Sequence, residues 1–300
     1  MTAKSLMENG MSTLKGLVSL LLLIFCTLFW GVPLLILTTL KLITPTRRLR
    51  LHVLGGLNQV ALAWLGTNLW WMRRWIRPLL DIHVPEGLSP HQWWLVIANH
   101  RSWTDIFVLQ MALHRRIPMP RFFIKRELIW VPIVGIAFWA LEFPFMRRYK
   151  RHQLARNPAL AERDRRATKR LCEHAQQMPV AIYNFVEGTR FTSAKQRAQD
   201  SPYRHLLRPK AGGSAQVINL LGTRLNGVLD VTLSYARKRP NFWDFLCGRE
   251  GPMTLYARHI ELPTWMLGGD YHQDPHYKER FQQWLNALWQ EKDARLDSLR

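Results

Sequence analysis

Between residues 97 and 107 the chain reads IANHRSWTDIF. Positions 99 to 105 offer an amide, an imidazole, a guanidinium, two hydroxyls and a carboxylate. The cluster follows the apolar run WWLVIA (93–98), which reads as a strand, and leads into a helical pattern over Asp105–Leu113. A histidine at the carboxyl end of a strand, with an aspartate at the start of the next helix, can form a pair in one tight turn. The Asp105 carboxylate would hold the imidazole of His100 through Nδ1 and leave Nε2 to take a proton. Histidine ordinarily titrates near neutral pH, which suits it to general-base work. The same spacing also fits a plain loop in which Asp105 favours a helix dipole, so the pair needs company. Ser102 is a poor nucleophile candidate. No Gly-x-Ser-x-Gly elbow occurs, GGSAQ at 212–216 lacks the last glycine, and Ser102 reads as a turn or capping residue.

Company comes from NFVEGTRFT (184–192), which also follows an apolar strand. Glu187, Gly188, Thr189 and Arg190 supply a carboxylate, a glycine for close backbone approach, a hydroxyl, and a planar fork able to grip phosphate in two places. Two polar clusters at strand ends of one sheet face the same crevice. FFIKRELIWVPIVG (122–135) places Lys125 and Arg126 at a third strand end, and RPKAGG (208–213) sets Lys210 before a helix, where an anion can bind.

These blocks resemble, in order, the motifs of the glycerolipid acyltransferases, the 1-acylglycerol-3-phosphate O-acyltransferase group. NHRSWTD looks like their first motif, FFIKREL…VPIVG their second, FVEGTR their third and VLDVTL (228–233) their fourth, together covering about residues 80–265. The resemblance implies acyl transfer from acyl-CoA or acyl-carrier protein, as co-substrate, to the hydroxyl of a lysophospholipid. Neither metal nor cofactor nor covalent acyl-enzyme is expected. It makes His100 and Asp105 catalytic and assigns Lys125, Glu187, Gly188, Thr189 and Arg190 to substrate binding. Asn99, Arg101, Ser102 and Lys210 are further members of the site, with Asn99 or a nearby backbone N–H as a candidate oxyanion donor. Many bacterial members read Phe-Pro-Glu-Gly-Thr-Arg-Ser in the third motif; Val186 and Phe191 replace the proline and the last serine here, which leaves the acceptor open between lysophosphatidic acid and a larger lysophospholipid such as lysophosphatidylglycerol.

The elements that must position these residues alternate strand and helix. Strands are expected at 93–98, 121–124, 180–186, 228–235 and 253–262, and helices at 105–113, 158–177, 213–221 and 275–299. That pattern predicts an α/β domain with a mixed or parallel sheet flanked by helices, over 81–300. Ahead of it, Gly16–Leu40 runs 25 residues without a charge, long enough for a membrane span. The expected anchor, 1–45, is one span or a re-entrant hairpin turned at WGVP (30–33). Residues 46–80, with WWMRRWIRP at 70–78, read as a basic, aromatic segment suited to the headgroup layer or to packing on the domain. LIWVPIVGIAFWALEFPF (128–145) is too short and interrupted for a second span, and reads as an apolar wall inside the domain.

A net charge of +21 and fourteen tryptophans point to an anionic partner at a bilayer surface. Lys41, Arg47, Arg48 and Arg50 after the anchor put the domain on the cytoplasmic side, and the resemblance implies a bacterial inner membrane. A non-enzyme rival is a membrane-tethered protein binding anionic lipid or nucleic acid. Dispersed basic residues and the lack of a reading motif argue against nucleic acid. Cys26, Cys172 and Cys247 have no metal-ligand spacing and read as free thiols.

Overall fold

The computed structural model describes residues 3–146, 178–271 and 273–299, together with 166, 168, 169, 172, 173, 175 and 176. Its domain is mixed α/β, as the alternation predicts. Strands β1 (Leu80–His83), β2 (Trp93–Ala98), β3 (Pro120–Phe122), β6 (Ala181–Phe185), β7 (Leu225–Tyr235) and β8 (Met253–Ile260) form a sheet in the order β1-β8-β7-β2-β6-β3. Only β7 and β8 are antiparallel neighbours. The stretch expected as one strand at 121–124 divides: β3 joins the main sheet, whereas β4 (Ile124–Lys125) pairs with β5 (Phe145–Met146) in a separate ladder. The helix expected at 158–177 falls mainly outside the described residues.

Strand β2 sits in the middle and is covered on both faces, which is why it is apolar throughout rather than alternating. Its side chains still alternate between two cores. Trp94, Val96 and Ala98 pack with Val108, Leu109 and Leu113 of α3 (Thr104–Leu113). Leu95 and Ile97 pack with Val217 and Ile218 of α6 (Gly212–Leu221) and with Phe281, Leu285 and Trp289 of α8 (Pro275–Ser298). Helix α8 starts where Asp274 caps the His276 and Tyr277 N–H groups and Pro275 occupies the first turn. It is also tied to the sheet by charge. The buried Lys292 ammonium sits 2.5 Å from Oδ1 of the equally buried Asp230 on β7 and donates to the Val231 carbonyl, while Arg258 on β8 holds Asp230 Oδ2 at 3.0 Å.

At the N-terminus, α1 (Ala3–Ile43) is a single unbroken helix through Pro33, so WGVP does not turn the chain. The reversal comes at residues 44–46, and α2 (Arg47–Trp71), capped by Thr46, returns along α1 and ends in a π turn, Met72–Ile76. Leu54, Leu57, Ala61, Leu65 and Leu69 of α2 are buried, while Trp70 and Trp75 stay exposed. Helix α1 is tied to the domain along its length. Lys15 donates to the Ile76 carbonyl, Ser19 to the Leu246 carbonyl at the end of the short helix α7 (Phe242–Leu246), and Lys41 to the Ala140 carbonyl and the Glu142 carboxylate. Midway, Gly31 lies so close to Ile133 that a Cβ there would meet its Cγ2 at 3.1 Å.

The expectation of an interior wall over 128–145 is corrected. After a 3-10 turn, Arg126–Trp130, comes α4 (Val134–Ala140), and only the far end of the segment is core, through Ala140, Leu141 and Phe143. Ile129, Trp130, Val131, Ile136 and Trp139 are exposed. Pro132 and the positive-φ residue Ile133 break the helical pattern, so the apolar positions fan outward instead of forming one inward stripe.

Changing Lys292 to Met removes one of the two cations on Asp230 and strands a buried carboxylate oxygen. The expected cost is about 3 kcal/mol, read as a lowered denaturant midpoint in an otherwise folded protein.

Candidate active site

Strands β2 and β6 are parallel and in register, with Ala98 opposite both Phe185 and Val231 of β7. The segments after Ala98 and after Phe185 therefore leave the sheet at the same level and along the same edge, as expected for a site at the carboxyl ends of strands. Strand β7 runs four residues past that level to Tyr235. That overrun holds the site together.

His100 is 15% exposed, and its Nδ1 lies 2.7 Å from Oδ2 of Asp105, whose side chain is fully buried. The same Oδ2 accepts the backbone N–H groups of Arg101 at 2.6 Å and Ser102 at 3.0 Å. Its partner oxygen Oδ1 accepts the Tyr235 hydroxyl at 2.5 Å. Burial and the adjacent Asp105 charge push the Tyr235 hydroxyl well above its ordinary value, so it stays a donor. The His100 ring stacks on Phe185 with centroids 4.1 Å apart, and Phe185 stacks on Phe122 at 6.2 Å. With Nδ1 on a carboxylate and the ring plane fixed by stacking, Nε2 is set to accept a proton. No hydrogen bond among the described residues engages it.

The rest of the first motif is structural. The fully buried Asn99 side chain exchanges hydrogen bonds with the Leu233 backbone, 2.9 Å to its carbonyl and 2.8 Å from its N–H, extending the β2–β7 pairing. An amide so committed is not placed as an oxyanion donor. Arg101 reaches the carbonyls of His205 and Lys238 and covers the Phe191 ring at 4.5 Å. Ser102 accepts the Thr104 N–H at 3.2 Å, a capping contact.

The third motif folds against the first. The Phe191 N–H donates to the His100 carbonyl at 2.8 Å. Glu187 is fully buried, with its oxygens accepting the N–H groups of His100 at 3.4 Å and Leu207 at 3.3 Å. It holds the backbone beside His100 and has no surface for a substrate. Gly188 has a positive φ of 68°, and a Cβ there would come within 3.2 Å of Lys210 Nζ, so only glycine suits the turn. Thr189 Oγ1 accepts from Lys195 at 2.7 Å, and Lys195 also caps the Arg190 carbonyl at 2.9 Å. Arg190 is exposed and makes no ion pair with Glu187; its guanidinium lies over the Trp103 ring at 5.4 Å. Arg190, Lys195 and Lys210 thus line the third-motif turn, joined by backbone and side-chain contacts to His100. Lys125 stands apart, exposed on β4 in the separate ladder.

Sequence reasoning missed Tyr235 and Lys195. Tyr235 ends a strand 130 residues from Asp105, and Lys195 sits in a short helix, α5 (Ser193–Ala198), with no motif around it.

The family profile described as Acyltransferase matches residues 80–236, more than half of the chain and the whole of the strand-end geometry above. The chain belongs to the Acyltransferase family. It is 28% identical over 214 residues to the 1-acyl-sn-glycerol-3-phosphate acyltransferase delta of Homo sapiens, covering 67% of this chain and 51% of that protein. It is 26% identical over 212 residues to the gamma form of Mus musculus, with the same coverage. The acyltransferase-family chain thus spans about half the length of these relatives. The crystal structure of the 1-acyl-sn-glycerophosphate acyltransferase of Thermotoga maritima superposes with a TM-score of 0.48 at 15% identity, over 93% of this chain and 98% of the other.

Two outcomes are expected of this site. Tyr235→Phe strips the only donor found among the described residues from Oδ1 of the buried Asp105, a loss of about 1–3 kcal/mol. Steady-state kinetics should show turnover reduced roughly 10–100-fold with both KM values unchanged. Burial pushes Glu187 from an ordinary 4.5 up to about 8, against its two N–H partners and Arg101. The folded chain therefore retains a proton on Glu187 that the unfolded chain releases, so the contribution of this group to stability is full below about 4.5 and is lost as pH rises through about 8. Melting curves across that window should show the decline, and Glu187→Gln should flatten it.

Proposed function

We propose that the chain is a membrane-bound O-acyltransferase. It moves a fatty acyl group from acyl-CoA or acyl-carrier protein to the hydroxyl of a lysophospholipid, foremost 1-acylglycerol-3-phosphate, in phospholipid synthesis or remodelling. The single observation that carries the reading is the buried Asp105 carboxylate on His100 Nδ1, in a strand-end crevice with Nε2 unengaged. The names of the relatives support the acceptor class.

His100 Nε2 takes the proton of the acceptor hydroxyl as its oxygen attacks the thioester carbonyl. The tetrahedral intermediate collapses, the C–S bond breaks, and the imidazolium returns the proton to the departing thiolate. Asp105 stabilises the imidazolium and holds the tautomer. Arg190, with Lys195 and Lys210 along the same turn, offers the cationic fork and point charges that an acceptor phosphate needs. Lys125, exposed on its separate ladder, is not brought to this turn, and its expected contact with the acceptor phosphate rests on the motif resemblance alone.

Membrane attachment is supported by the polarity of α1, which is inverted relative to a soluble helix. It turns Gly16, Ser19, Cys26, Gly31 and Thr38 toward the protein and leaves Leu21, Phe25, Leu28, Phe29, Val32 and Ile36 exposed. Large apolar side chains shown outward over such a length call for an apolar solvent. The helix is long and apolar enough to cross a membrane. Yet Ser19 and Lys41, towards the two ends of its uncharged stretch, both bind the same domain, at the Leu246 and Ala140 carbonyls, which favours a helix lying within one leaflet. The positive residues Lys41, Arg47, Arg48 and Arg50 favour the cytoplasmic leaflet, in a bacterial inner membrane.

The test is an acceptor panel with labelled acyl-CoA on the purified full chain. Ester formation with lysophosphatidic acid is expected. His100→Ala should lower turnover by about 10²–10⁴-fold at equal membrane content. No consumption with any lysophospholipid, or a His100→Ala rate within about tenfold of wild type, refutes the reading.

A further inference from the structure

We infer that the segment Ile129–Trp139 is a second membrane-inserting element, which seats the bilayer surface at the lipid entrance of the site. The inference rests on the proposed membrane attachment of α1.

Trp130 is 85% exposed and Trp139 48%, with Val131 and Ile136 exposed between them and Ile129 just before. Two tryptophans and three branched aliphatics shown to water on eleven consecutive positions form a patch that a soluble surface does not maintain. What covers it is indicated by what it adjoins. Ile133, inside the segment, packs on Gly31 at the middle of the uncharged stretch of α1. The residues flanking Gly31, namely Phe29, Val32 and Ile36, belong to the exposed apolar face of that helix. At the segment's far end, Lys41 closes on the Ala140 carbonyl and the Glu142 carboxylate. The two apolar surfaces are thus clamped together, and a lipid layer that receives α1 reaches the segment as well. Exposed Lys125 and Arg126 stand where the segment begins, placed for phosphates beside interfacial tryptophans.

The position also has a functional sense. Strand β3, which lies just ahead of β4 and the segment, ends at Phe122, whose ring stacks on Phe185, and Phe185 stacks on His100. A row of three rings leads from the base of the segment to the proton acceptor, apolar lining for an acyl chain drawn from the leaflet.

The full chain is labelled at Trp130→Cys with a nitrobenzoxadiazole fluorophore; Cys26, Cys172 and Cys247 are buried. A second preparation carries the label at Phe29→Cys on α1. Both are mixed with vesicles of phosphatidylethanolamine and phosphatidylglycerol bearing brominated acyl chains. Quenching of both labels by the bromolipid, with loss of quenching by aqueous iodide, is expected. Quenching at 29 without quenching at 130 overturns this inference and spares the attachment of α1, whereas quenching at neither site overturns the attachment itself. A label at 130 shielded from iodide without vesicles, in a species with the mass of two chains, means that a second copy covers the patch and overturns the inference. In the unlabelled protein, Trp130→Ser with Trp139→Ser should raise the apparent KM for a bilayer-borne acceptor by about tenfold and leave a water-soluble short-chain acceptor unaffected. Equal KM values for the bilayer-borne acceptor overturn the functional role.

Discussion

Asp105 has no surface left to water, and a carboxylate in that condition must find its solvation inside the protein or cost several kcal/mol. It finds four donors: His100 Nδ1, two successive backbone N–H groups and the Tyr235 hydroxyl. That requirement shapes the crevice. The chain after β2 must wrap the carboxylate to aim the Arg101 and Ser102 N–H groups at one oxygen, and β7 must outrun β2 to bring Tyr235 to the other. Asn99, knitting β2 to the overrun strand, holds the geometry in place. The imidazole orientation follows from solvating the carboxylate.

Glu187 meets the same burial with fewer donors. Two long backbone N–H contacts do not offset the loss of water, and the group is held well above the ordinary carboxylate range. Two neighbouring carboxyl groups thus answer different needs. One is saturated with donors and orients the histidine; the other stabilises the backbone that presents it. Motif membership did not distinguish these roles, because Glu187 and Arg190 belong to one short run yet one is buried and the other exposed.

Helix α1 and the domain are joined by direct contacts. Small and polar residues of α1 face the protein because a close helix approach needs little side-chain bulk, and because Ser19 and the two lysines find backbone carbonyls there. Leu34 is also buried there, while most of the other large residues, such as Leu21, Phe25, Leu28, Phe29, Val32 and Ile36, are left for the outside. On the proposed function this arrangement has a use: contacts between α1 and the domain, and not a linker, would set the attitude of the crevice toward the bilayer, in line with the general need to hold reacting groups within a fraction of an ångström.

Much of this was legible in the chain alone. The strands at 93–98, 181–185 and 253–260 and the helices at 104–113, 212–221 and 275–298 follow from local periodicity and capping, which depend on near neighbours. The His100–Asp105 pair was legible for the same reason: its five-residue separation is closed by one turn. Tertiary structure decided what distant segments do to each other. Tyr235 reaches Asp105 only because parallel pairing puts β7 beside β2 and lets it run on. Lys125 left the main sheet because the chain breaks pairing at Phe123 and starts a new ladder. Residues 128–145 looked like core throughout because apolar composition does not say which way a side chain points; with Pro132 and the turn at Ile133 breaking the helix, Ile129, Trp130, Val131, Ile136 and Trp139 face outward and only the far end is core. Composition and short spacing are local properties of the chain, whereas burial, solvation of a charge and the direction of an apolar face are set by what packs alongside.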